Sequence, residues 1–555
     1  MRKRTILEKK RSLKDRDRLR LTYKWPWEGE QEEIELPLKL LVIGDFTQRP
    51  EDSRLEERKT IKIDKDNFNE VMAIHKLSLT IQVENYLSVA EMSDLDVNLK
   101  FSSLSDFEPD SILNQVPELK EFIKPFYGHK TKEEALNVFC KQLDAILHHP
   151  DFQQLEAAWR GLKFLVNQTD FREDIKIELL NCSKEDLFED FEDNLKITKS
   201  GIFQTVYYPY AVLGGEPYGA IIANYQFVRF SRQDIRLLQY IASVAAMSHC
   251  PFIASAGPKF FGIDDFNDLP KVKDLTGLFN GINYKRWEYF SNKWQSFRES
   301  DDVRYVALAM PRFLLRPPYE SNNNPVKEFN YNESVSGSHE HYLWGNAAFA
   351  FATNLTKSFA KYRWCGDIIG PKAGGNIEGL SVHQFDSMEG TQTKGPTEVY
   401  ISDRREYELS EEGFMALTMR KNSDVACFFS ANSVQKPINF PDTLEGREAF
   451  LSYKLVAQLP YLFFITRFAH YIKVLYKMNM GMWRDNKDLA QNELNHWIRQ
   501  YVTDADIRYK PLRNAQIILD EGEYEGHSCR FLLKVIPNFK YYGAVFNLSL
   551  VGILG

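Results

Sequence analysis

Gly366 to Gly379, GDIIGPKAGGNIEG, has the composition of a loop that could wrap a phosphate. A phosphate loop ends in Gly-Lys-Ser/Thr, which brings a lysine to the β/γ-phosphates and a hydroxyl to magnesium. That ending is missing here, and no GxGxxG occurs. The stretch therefore reads as a structural loop, and Lys372 is where an enzyme hypothesis would be tested. His148–His149 and His339-Glu340-His341 offer imidazoles for a metal, but neither has the HExxH spacing that puts two rings on one helix face. His148 and His149 precede Pro150 at a helix end, where the dipole favours such side chains. No G-x-S-x-G elbow is present. The acidic pairs Asp264–Asp265 and Asp301–Asp302 read as solvated turns, and the six cysteines form no CxxC. No catalytic, cofactor-binding or metal-ligating set is expected.

The elements that would position such chemistry instead look built for packing. At 555 residues the chain has room for about three to four domains. With 43% hydrophobic and 14% aromatic residues it is globular rather than disordered. A net charge of −7 disfavours wholesale nucleic-acid binding. Scattered cysteines suit a reducing compartment. The basic N-terminus lacks a following apolar segment, so it is not a signal peptide. No apolar run of about eighteen residues occurs, so no membrane partner is expected and a cytoplasmic protein is the default.

Leu143 to Val166 organises the chain. Pro150 ends one helix, Asp151 sits in the first turn of the next, and Phe152, Leu155, Trp159, Leu162 and Val166 stripe one face of it. Before this junction the sequence predicts a small, self-contained α+β unit. Arg18 to Trp25 alternates, with Leu19, Leu21, Tyr23 and Trp25 on one side, and is followed by an acidic loop rather than a hairpin partner. Leu38–Phe46, Leu77–Val83 and Leu95–Phe101 read as strands. After the junction, Ile175–Cys182, Val206–Leu213, Ile221–Phe227, Pro251–Ser255 and Val303–Met310 read as strands, and Asp234–Ala246 and Tyr342–Tyr362 as helices. Ser321–Gly337 reads as an exposed loop. Phe450–Tyr476 reads as one helix kinked at Pro460, and Asp488–Val502 as an amphipathic helix. Two closing runs, Arg530–Ile536 and Ala544–Val551, read as strands without local partners. The expected fold class is α+β, with mixed sheets and packed helices. The expected division is an arm (1–33), a small α+β domain (34–125), a short helical connector (126–150), a large core (151–480) and a C-terminal domain (481–555).

Two sets of residues resemble known families. Leu36–Phe46, Arg58–Phe68 and Ser105–Leu119 resemble the small subunit of the type VI secretion contractile sheath. Ile146–Leu165 (ILHHPDFQQLEAAWRGLKFL), Asp302–Pro311, Pro396–Ser402 and Leu494–Val502 resemble its large subunit. The resemblance covers almost all of the chain after Pro26. It implies a structural protomer, not an enzyme, assembling with copies of itself in hexameric rings around an inner-tube protein and contracting from a baseplate. In the family the two subunits are separate chains, and their joint outer helices serve an AAA+ unfoldase that recycles the sheath. Here only about Ile123–Leu147 separates the two cores, which puts recycling in doubt. The resemblance also implies terminal strands that augment sheets between subunits. The inter-subunit strand is Leu19, Leu21, Tyr23 and Trp25. The linking strands carry Phe531, Leu533, Val535, Val545, Leu548 and Leu550. A tube-facing helix would present Asp488, Asn492, Glu493 and Arg499, although it could equally be wholly internal. A second reading is the single-chain sheath of a phage-tail-like or extracellular injection particle.

Overall fold

The computed structural model describes residues 18–24, 33–87, 94–124, 133–212, 214–228, 231–280, 288–387, 390–420, 423–437, 440–484, 486–504, 510–524, 527–538 and 547–554. Trp25, Val545 and residues 125–132, which include the start of the connector, lie outside them. The chain opens with a short antiparallel pair, β1 (Tyr23–Lys24) and β2 (Glu33–Ile34), so the acidic loop does lead to a hairpin partner. β3 (Leu38–Gly44) starts after Pro37, and β4 (Ile61–Ile63) follows. β5 (Leu77–Val83) and β6 (Leu95–Phe101) pair antiparallel, with strictly alternating burial in both. Their apolar face meets the junction, where Phe101 lies edge-on to Phe152 at 6.0 Å.

The junction itself is α1 (Glu133–Leu147) and α2 (Pro150–Gln168). The His149 ring accepts from the Asp151 amide, capping α2 at the break that Pro150 imposes. There follow β7 (Ile175–Asn181), β8 (Tyr218–Phe227), α3 (Arg232–Ser248), β9 (Phe252–Ala256), β10 (Val306–Met310), α4 (Ala347–Tyr362), β11 (Phe414–Met419) and β12 (Ala426–Phe428). Among the described residues, nine strands form one mixed sheet in the order Asn376–Ile377, β12, β11, β10, β9, β8, β3, β7, β4. β3 runs parallel between β7 and β8, pairing along its whole length with β7. The first unit is therefore not self-contained, because its most apolar strand completes the sheet of the large core. A strand buried on both faces needs neighbours on both edges, and β3 finds them more than 130 residues away.

Val206–Leu213 is helical as far as Ala211, within Gly201–Ala211, although VYYPYAVL reads as a strand. The Ser200 hydroxyl caps its start, and local packing overrides β-propensity. Phe450–Tyr476 is two helices, α5 (Leu444–Val456) and α6 (Leu459–Met478), with Pro460 in the first turn of the second. Proline is at home in a first turn, so the chain breaks there instead of kinking. α7 (Lys487–Arg499) follows. The last three strands are β13 (Leu512–Tyr524), β14 (His527–Pro537) and β15 (Leu548–Leu554).

Two hydrophobic cores result. One spans the mixed sheet, the β5–β6 hairpin and the helices that cover them. The other gathers Leu19, Leu21, Tyr23 and Leu36 with α6, α7 and β13–β15. α6 contributes to both, with Leu459, Leu462 and Phe463 in the first and Tyr461, Phe464 and Phe468 in the second. At the seam between the cores, His470 Nε2 meets the His249 carbonyl at 3.0 Å and Lys473 Nζ donates to the Met247 carbonyl at 2.6 Å. Burial holds the Lys473 ammonium down to about 7.

Candidate functional site

The motif that carried the resemblance is a set of clamps. Trp159 Nε1 donates to the Phe46 carbonyl at 2.9 Å, tying α2 to the end of β3. Glu156 is fully buried and accepts from Arg160 at 2.6 Å and Arg316 at 3.1 Å. Arg316 also holds Glu333 at 2.7 Å, and His148 reaches the same carboxylate at 3.2 Å. Burial opposes charge on Glu333, but Arg316 and His148 outweigh it and bring the carboxyl down to about 2. A Cβ on Gly161 would collide with the Phe349 ring of α4, so only glycine allows the two helices to come this close. The 321–337 stretch is thus anchored through buried Tyr331 and Glu333, not simply exposed.

The glycine-rich stretch turns its backbone inward. Gly370 N donates to Phe428 O at 2.7 Å, Phe428 N donates to Gly375 O at 3.0 Å, and Asn354 of α4 reaches the carbonyls of Ile368 and Gly375. These amides hold β12 and α4, while Lys372 points to solvent. At the carboxyl ends of β3, β7, β8 and β9 lies a polar cavity of about 470 Å³, where open sheets of this winding bind ligands. Its side chains bond mainly to their own protein. Ser255 donates to Asn346 at 2.6 Å, Asn346 to the Tyr225 carbonyl at 3.0 Å, and Lys184 to Asp234 at 2.8 Å.

The terminal elements meet in one place. β13, β14 and β15 form an antiparallel sheet in that order, with Ile517 opposite Leu533, Leu519 opposite Phe531, Leu533 opposite Leu550 and Val535 opposite Leu548. The overlooked strand is β13, which gives β14 the local partner that the sequence reading missed. Phe531, Leu533, Val535, Leu548 and Leu550 all point into the second core. Their side chains serve that core, and what the sheet offers outward is backbone. The two edges differ. Along β13, Asn495 of α7 bonds both Ile517 N (2.9 Å) and Ile517 O (2.7 Å), and Gln491 accepts from Leu519 N at 2.8 Å. Helix side chains thus occupy the outer groups of β13. Among the described residues β15 has β14 as its one strand neighbour, and its end lies beside Lys473, Tyr476 and Lys477 of α6.

Leu19, Leu21 and Tyr23 are buried in the same core, and the alternation read from the sequence holds there. The segment is tied down largely through its backbone. Tyr471 Oη donates to Leu21 O at 2.7 Å and accepts from Leu36 N at 2.8 Å. Thr22 N donates to Tyr501 Oη at 3.1 Å, and Trp497 Nε1 donates to Thr22 O at 2.9 Å. Burial pushes the Tyr471 hydroxyl well up, so it keeps the proton it donates. α7 packs Ala490, Leu494, Trp497 and Ile498 inward, whereas Asp488, Asn492, Glu493 and Arg499 face solvent. Within the single chain, α7 keeps this polar face exposed. Glu493 also accepts from Trp483 Nε1 at 3.1 Å.

Residues 134–435 match the family VipB, described as EvpB/VC_A0108, tail sheath N-terminal domain. Residues 448–554 match its tail sheath gpW/gp25-like domain, and residues 11–129 match the type VI secretion system family VipA. The chain is 39% identical over 424 residues to the type VI secretion system sheath protein TssC1 of Pseudomonas aeruginosa, covering 74% of this chain and 82% of the relative. Among solved structures, a VipA-N2/VipB contracted sheath matches at 46% identity over 18% of this chain and 78% of its own, with a TM-score of 0.17. A chain of the anti-feeding prophage baseplate matches at 9% identity over 72% and 77%, with a TM-score of 0.33. A sheath family is structural rather than enzymatic, in keeping with buried polar groups that join elements to each other. Small-subunit and large-subunit sheath domains follow one another in a single polypeptide, and the chain belongs to the tail sheath proteins of type VI secretion.

Proposed function

We propose that copies of this chain polymerise in hexameric rings around an inner-tube protein in the bacterial cytoplasm, and that the lattice contracts from a baseplate to drive the tube out. The difference in edge chemistry of the C-terminal sheet carries this reading. Side chains of α7 hold one edge, while at the other β15 has no strand beyond it among the described residues and would accept one from another copy through backbone pairing. The alternating N-terminal segment 18–24 is the donor, exchanged between copies out of the core in which Leu19, Leu21 and Tyr23 are buried. A linkage made at the end of an arm survives rotation of the bodies it joins, which a contracting lattice requires. The work comes from the difference in interface free energy between two packings, not from nucleotide hydrolysis. The solvent face of α7, with Asp488, Asn492, Glu493 and Arg499, turns toward the tube. Within the connector the described residues form a single fifteen-residue helix, α1. A connector this short puts recycling by an AAA+ unfoldase in doubt.

Negative-stain electron microscopy of the full chain and of a variant lacking residues 1–24 tests the proposal. Hollow tubes from the full chain, lost on deletion, are the expected result. Tubes that survive deletion would keep the sheath and remove the exchanged arm. Monodisperse monomers from the full chain under all assembly conditions would overturn the proposal.

A further inference from the structure

We propose that Asp265, His339 and Glu398 form a divalent-cation site on the body of the protein. Asp265 opens the turn at Phe266–Lys271, His339 begins the turn before α4, and Glu398 lies in the extended segment before the helix Asp403–Glu411. The fold brings these three loops together. His339 Nε2 lies 3.4 Å from Glu398 Oε1 and 3.9 Å from Asp265 Oδ1. All three donor atoms fall within 4.8 Å of one another. Donors around a tetrahedral Zn²⁺ lie about 3.4 Å apart, so the His–Glu edge already fits. Asp265, partly exposed on its turn and accepting the Asn267 amide at 2.8 Å, has to close by about 0.5 Å toward His339 and by up to about 1.4 Å toward Glu398.

The observation that points to a ligand is His339 itself. Its side chain is nine-tenths buried, and Nε2 makes no well-aligned hydrogen bond, its nearest acceptor being Glu398 Oε1 at 3.4 Å with Asp265 Oδ1 at 3.9 Å. The ring is held by stacking on Trp344, with centroids 4.8 Å apart, and the indole donates to the His339 carbonyl at 3.0 Å. Arg312 competes for Glu398, with Nε to Oε2 at 3.0 Å and a terminal nitrogen to Oε1 at 2.6 Å. Lys394 Nζ lies 3.4 Å from the Glu398 carbonyl. A carboxylate offers about four acceptor directions, so Oε1 keeps one toward His339. Sharing Glu398 with a guanidinium makes the site weaker and more exchangeable than a closed structural zinc site. One imidazole and two carboxylates suit Zn²⁺ or a similar divalent ion, with open positions for water.

Titrating the metal-free full chain with Zn²⁺ tests this, by calorimetry and by tryptophan fluorescence, which should change because Trp344 stacks on a ligand. The expected result is one saturable site per chain, weakened about tenfold or more by Asp265→Asn and by His339→Gln and unchanged by His341→Gln. Asp265→Asn keeps an Oδ1 acceptor for the Asn267 amide that Asp265 caps, so it remains decisive if His339→Gln folds poorly. An absence of saturable binding to the parent chain would overturn the site. So would binding that Asp265→Asn leaves unchanged, or that only His341→Gln removes.

Discussion

Glu333 shows how one carboxylate can hold distant segments together. It receives Arg316, His148 and the Tyr319 amide while almost fully buried. Burial alone would raise its pKa, yet its partners hold it at about 2 against an ordinary 4.5. A depressed carboxyl stabilises the fold fully above its unfolded value, and the benefit is lost as pH falls from there through the folded value. Glu333→Gln is therefore expected to lower stability at neutral pH by roughly 3–5 kcal/mol, since it leaves Arg316 buried beside a single carboxylate. Chemical denaturation at pH 7 measures the loss, and the same experiment between pH 4.5 and 2 should show a flatter pH dependence than the parent chain. None of this pairing is visible in the sequence. His148, Glu156 and Arg160 stand out in HHPDFQQLEAAWRGL, but their partners Arg316 and Glu333 lie about 160 to 185 positions away. Asp265 was likewise legible only as half of an acidic pair, because its neighbours His339 and Glu398 come from other loops.

At the scale of elements, α7 sets what the C-terminal sheet can do. Asn495 imitates a strand by bonding the amide and the carbonyl of one β13 residue. Asn495→Leu should cost roughly 1–3 kcal/mol in thermal or denaturant unfolding. It should also promote disordered aggregation, visible by light scattering, because a second edge is now bare. Unchanged stability together with unchanged assembly would show that α7 does not guard that edge. Periodicity made most elements readable, including α2, β5, β6, α7 and the inward face of the arm. It failed at Gly201–Ala211, whose aromatic and β-branched residues suit a strand until Ser200 caps a helix. It also failed at β13, where charged and polar residues interrupt the alternation.

For the whole molecule, the central position of β3 binds the two sheath units into one body. Cleavage in the stretch 125–132, at an introduced protease site, should leave two fragments that co-elute on gel filtration under native conditions. Both edges of β3 stay paired after the cut, and its side chains remain in the larger core. Fragments that separate without denaturant would show that the small unit folds independently, as its sequence alone suggested.

The same strand sets a timetable for synthesis. β3 leaves the ribosome early, apolar but for Lys39, while its partners β7 and β8 are still more than 130 and 170 codons from translation. Until residue 227 or so has emerged, the nascent chain carries an aggregation-prone strand with nothing to pair against. Encoding both units in one message ensures that the missing neighbours arrive on the same polypeptide, in equal number, however dilute the protein is in the cell.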